Sequence, residues 1–136
     1  MSRPRSFRLS DSLLASLRER ARERGESANA VAERYLEEGL RRDDHPLITF
    51  REGAAGRRAA LAGTRLDVAQ VIDTLRNSEN SVDATAEYLE IPEQYVRAAV
   101  RYYADFRDEV DQWRDRILAI AEREEDAWRR EQSVLA

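Results

Sequence analysis

The chain has no cysteine and a single histidine, His45, which excludes disulfides and the usual zinc patterns of paired Cys and His. Lysine is missing as well: all 23 basic residues are arginine. Proline occurs three times, at positions 4, 46 and 92, and neither proline nor glycine interrupts the stretch from Glu93 to Ala136. No apolar run approaches the roughly 20 residues of a membrane span, and Met1-Ser2-Arg3-Pro4 does not lead into the apolar core of a signal peptide. A cytoplasmic protein with no membrane contact is the expectation. No nucleophile–histidine pair, metal-ligand set or phosphate loop is present, so no catalytic residue, metal or cofactor is expected and the chain does not read as an enzyme.

What is present is charge, unevenly spread. Charged residues make up 37% of the chain and the net charge is −4, yet the ends differ. Residues 1–24 hold seven arginines against three acids, and residues 105–136 hold six arginines against ten acids. A basic head and an acidic tail imply two different partners.

In the head, Phe7 and Leu9 alternate with Ser6 and Arg8, a strand pattern with one apolar face. So short a strand needs another beside it. No neighbouring segment before the first helix supplies one, and the same strand of a second copy is the simplest partner. Arg3 and Arg5 supply sequence-independent attraction to phosphate. Ser10 or Ser12 caps a helix carrying Leu13, Leu14, Leu17 and Ala21, Gly25 stops it, and Ser27 caps a second helix carrying Val31, Tyr35, Leu36 and Leu40. Arg41 to Pro46 reads as a polar linker.

This strand–helix–turn–helix run from Arg5 to Leu40 resembles the ribbon-helix-helix family of DNA-binding proteins. The resemblance implies that Phe7 and Leu9 form the dimer core and that Pro4, Ser6 and Arg8 face the major groove. Proline there cannot read a base, which leaves Ser6 and Arg8 as base readers. It also implies a phosphate held at the amino end of the second helix, at Ser27 and Asn29, where free N–H groups and the helix dipole converge.

Past the linker, Ile48-Thr49-Phe50 and Arg57 to Leu61 read as two strands about a turn at Glu52–Gly56. The glycines there match no nucleotide-binding spacing. Asp67 caps a helix with Val68, Val71, Ile72 and Leu75, Ser81 caps the next, and Pro92 opens a third. The sum is a small helix-turn-helix-like domain, though Glu93 at the head of its third helix is a poor approach to phosphate. The stretch Ala62-Gly63-Thr64-Arg65-Leu66-Asp67-Val68, with Tyr102-Tyr103-Ala104-Asp105, resembles the domain-of-unknown-function family number 433 of VapB-like antitoxins. That resemblance implies an antitoxin that neutralises a PIN-like ribonuclease toxin and represses its own operon.

The tail repeats apolar residues at Val96, Ala99, Tyr103, Phe106, Val110, Trp113, Ile117 and Ile120, in alternating steps of three and four. One helix from Pro92 to about Arg130 is permitted, and a small domain covers only its first turns. Phe106, Val110, Trp113, Ile117, Ile120 and Trp128 then need a partner surface, with Arg116 and Arg123 as companions facing the nuclease carboxylates. Folding back on its own domain, or coiling with a second copy, would serve as well. The expected architecture is mainly α. A ribbon-helix-helix domain spans 1–44, a helix-turn-helix-like antitoxin domain 45–106 and an amphipathic toxin-binding tail 107–136. The expected function is a homodimeric antitoxin that binds operator DNA and a PIN-like toxin. The alternatives are a stand-alone ribbon-helix-helix regulator and a dimeric interaction module that does not bind DNA.

Overall fold

The computed structural model describes residues 3–136, which divide into two compact units meeting near residues 43 and 44. Six helices and one antiparallel hairpin make up the described residues, so the chain is mainly helical. No described helix is long and apolar enough to cross a membrane.

In the first unit, residues 3–10 carry no strand and are exposed. Helix α1 (Asp11–Arg24) begins where Ser10 Oγ accepts the Leu13 N–H at 3.2 Å. It ends at Gly25, whose φ of 65° lets its N–H and that of Glu26 return to the carbonyls of Arg22 and Ala21. Ser27 Oγ accepts from Ala30 N at 3.1 Å and opens α2 (Ala28–Asp44). The expected linker at Arg41–Asp44 is in fact the last turn of α2. Arg41 bonds back to Glu37 at 2.6 Å, and the chain leaves the helix at His45, where the following Pro46 disfavours helical backbone.

In the second unit, β1 (Ile48–Gly53) pairs with β2 (Gly56–Leu61) through a two-residue loop, tighter than the expected turn. Opposite residues share a face. Ile48, Phe50, Ala59 and Leu61 therefore lie together, and they pack on the core built by α3 (Val68–Asn77), α4 (Val82–Leu89) and α5 (Glu93–Asp105). Asp67 N donates to Gln70 Oε1 at 2.8 Å at the start of α3, and Ser81 Oγ accepts from Ala84 N at 3.1 Å at the start of α4. Val68, Val71, Val96, Ala99 and Tyr102 are sealed from solvent at the centre.

The expected continuous helix from Pro92 is broken. Phe106, at φ −130° and ψ 44°, separates α5 from α6 (Arg107–Leu135) without glycine or proline. Burial supplies the reason. The bend returns Val110 to the core at 5% exposure and lays Phe106 and Trp113 against it. Phe106 stacks on Tyr102 with centroids 4.7 Å apart. Polar links fix the new direction: Tyr102 Oη to Glu109 Oε2 at 2.7 Å, Tyr103 Oη to Asp111 Oδ1 at 2.8 Å, and Arg114 Nε to Asp73 Oδ1 at 2.6 Å.

Candidate functional site

Two surfaces hold the residues that the sequence singles out, one in each unit.

The first is the basic head. Arg3, Arg5, Ser6 and Arg8 are all exposed, and Phe7 is 76% exposed, far above the norm for a phenylalanine. Leu9, Leu13, Leu36 and Leu40 are exposed as well, while Ala21 and Val31 are the buried apolar residues of this unit. Ser27 and Asn29 stand exposed at the amino end of α2, and the Ser27 hydroxyl keeps its proton free to donate. The Gly25–Ser27 turn thus places the amino end of α2, with Ser27 and Asn29, at the surface, where the helix dipole favours an anion.

Sequence reasoning passed over the cluster behind that turn. Glu26 receives two bonds from Arg34, at 2.7 and 3.3 Å, which keeps this guanidinium firmly protonated. Tyr35 is half-buried; burial alone would raise its phenol pKa. Hydrogen bonding from Arg20, and the charges of Arg24 and Arg20, win and hold it below the ordinary tyrosine value. The i, i+4 pairing of Arg20 and Arg24 was the available signal.

The second surface is α6. The eight expected seam residues, which run from α5 through Phe106 into α6, split into two groups. Val96, Ala99, Tyr103 and Val110 are buried, with Phe106 and Trp113 packed on them, so this part of the seam faces its own core. The expectation that Phe106, Val110 and Trp113 need an outside surface is corrected accordingly. Arg116 is engaged too, donating to the Ala55 carbonyl at 3.0 Å. From Ile117 onward the helix is open: Ile117 is 41% exposed, Leu118 51% and Trp128 58%, Ile120 is half-buried, and Arg123 is exposed. A helix of 29 residues is about 43 Å long, and its distal half reaches past its own domain.

His45, the single histidine, is buried, with Nε2 2.9 Å from Asp105 Oδ2 and its ring edge-on to Tyr102 and Phe106. No group of three or more metal-ligating side chains occurs among the described residues. No family model, curated protein or solved structure matches the chain.

Proposed function

We propose that the chain is an antitoxin: a homodimeric DNA-binding autorepressor whose carboxyl-terminal helix neutralises a PIN-like ribonuclease. The state of the first unit carries this reading. Two helices about a Gly25 turn bury Ala21 and Val31, while Phe7, Leu9, Leu13, Leu36 and Leu40 stay in water. So small a unit with so little buried surface needs further burial to be stable. A second copy supplies it by pairing residues 5–9 into a two-stranded ribbon with Phe7 and Leu9 inward. Ser6 and Arg8 then point outward together, a ribbon that fits the major groove. An Arg8 guanidinium bonded to the O6 and N7 of guanine gives about 1–3 kcal/mol of discrimination. Arg3, Arg5, Ser27 and Asn29 contact phosphates. The open part of α6 supports the toxin-binding half of the reading, with Ile117, Ile120 and Trp128 as anchors and Arg123 beside them.

Electrophoretic mobility with operator DNA tests the head: the wild type shifts the band, and Arg8→Ala weakens specific binding far more than non-specific binding. No shift at low salt overturns the DNA-binding claim. Co-purification with the product of the adjacent reading frame tests the tail. If deletion of 117–136 leaves that complex intact, the toxin-binding assignment fails.

A further inference from the structure

The open half of α6 carries a seam that its own domain does not use. Beyond Trp113 the steps of three and four continue through Ile117, Ile120, Glu124, Ala127, Glu131 and Val134. Every seventh residue falls in one row, so Ile117, Glu124 and Glu131 form one row and Ile120, Ala127 and Val134 the other, over about 26 Å of helix. Two exposed carboxylates therefore stand in the middle of an apolar stripe. Arg123 and Arg130, also exposed, run along one edge of it at the same seven-residue spacing, and Trp128 lies on the other edge.

These four charges are idle within the chain. Arg129, on the far side of the helix, takes Glu125 at 2.6 Å and Asp126 at 3.8 Å. Arg123, Glu124, Arg130 and Glu131 form no ion pair among the described residues. Their spacing is the reason: no arginine and glutamate of the four stand three or four residues apart, the separations that meet on a helix.

Whatever covers the stripe must answer both glutamates, because an apolar cover would bury two unpaired carboxylates. A second copy of α6 carries the matching charges. In a parallel, in-register pair, each residue of the Glu124 row packs beside the residue that precedes its equivalent on the facing helix. Glu124 then meets Arg123 of the second copy and Glu131 meets Arg130, each contact made twice by symmetry. Every glutamate layer thus holds two carboxylates and two guanidiniums and is neutral. Ile117, Ile120, Ala127 and Val134 stack on their own equivalents. Reversing one helix sets the arginine edges against each other and turns the glutamates toward apolar residues.

We propose that the distal half of α6, from Ile117 to Val134, pairs with the same segment of a second copy as a parallel, in-register coiled coil. Glu124 and Glu131 fix the register, as polar residues in such a seam do at a cost in stability. The pairing does not depend on what the basic head contacts. A toxin that takes Ile117, Ile120 and Trp128 must first part the two helices.

The chain has no cysteine, so single-cysteine variants of the full chain report the pairing without background. Under mild oxidation Ile120→Cys and Ala127→Cys should each link most of the protein into covalent dimers. Glu122→Cys, on the far face, should link several-fold less. In the Ala127→Cys chain, Arg123→Glu should cut linkage several-fold, and adding Glu124→Arg should restore it by exchanging the two charges. Linkage at only one of positions 120 and 127 overturns the proposal, because a reversed pair sets at most one position against itself. So does equal linkage at 122, linkage at none of the three, or indifference to Arg123→Glu. The readout lies in the tail alone, so it stands apart from the mobility and co-purification tests of the antitoxin reading.

Discussion

His45 and Asp105 stand sixty residues apart in sequence, and their side chains meet at 2.9 Å. The contact ties the start of the second unit to the last residue of α5, immediately before the Phe106 break. The two partners are unequal: the His45 side chain is 3% exposed and that of Asp105 59%. His45→Ala should therefore cost about 2–4 kcal/mol, through a ring-sized cavity between Tyr102 and Phe106. Asp105→Asn should cost about 1 kcal/mol or less, since a mostly solvated partner contributes little. Urea unfolding of the two variants checks the order, and equal losses would contradict it.

Trp113 and Trp128 offer a sharper contrast. Trp113 packs against the core, whereas Trp128 is 58% exposed. Trp113→Ala should cost about 3–5 kcal/mol and Trp128→Ala no more than about 0.5 kcal/mol. Tryptophan emission of the two single-tryptophan chains should show the redder maximum for Trp128.

Tyr103 Oη accepts from Arg76 at 2.5 Å and lies 2.8 Å from Asp111 Oδ1, joining α3, α5 and α6 through one oxygen. Tyr103→Phe should cost about 2 kcal/mol, because both partners are charged. Hydrogen exchange should quicken at the base of α6 and stay unchanged in α4.

Tyr35 supplies a pH dependence. Its folded pKa lies below its ordinary value because Arg20 and Arg24 outweigh the effect of burial. A depressed folded value means that this group stabilises the fold fully above the unfolded pKa, and that the contribution is lost as pH falls through the folded one. Over the alkaline range just below pH about 10, stability from this group rises with pH. Arg20→Gln should move the phenolate absorbance transition to higher pH, and an unmoved transition would refute the assignment.

Local signals were legible in the chain. Ser10, Gly25, Asp67 and Ser81 stand at helix ends because each acts through backbone atoms only a few residues away. The hairpin was legible too, from alternation and glycine. The break at Phe106 was not. Nothing near Phe106 forbids helix, and the bend is set by Tyr102, Val110 and Trp113 meeting a core made of other segments. The seam spacing is the same whether a helix faces a foreign surface or its own domain, so the period alone did not place Val110 and Trp113 against their own core.

The single non-helical residue Phe106 also acts as a fulcrum. With a rigid arm of about 43 Å beyond it, a rotation of about 10° at that point sweeps Leu135 through about 7 Å. The side chains that clamp the base of the arm, Tyr103, Asp111, Asp73 and Arg114, therefore control where the far end can reach. Loosening any of them widens the volume that Trp128 explores without touching Trp128 itself.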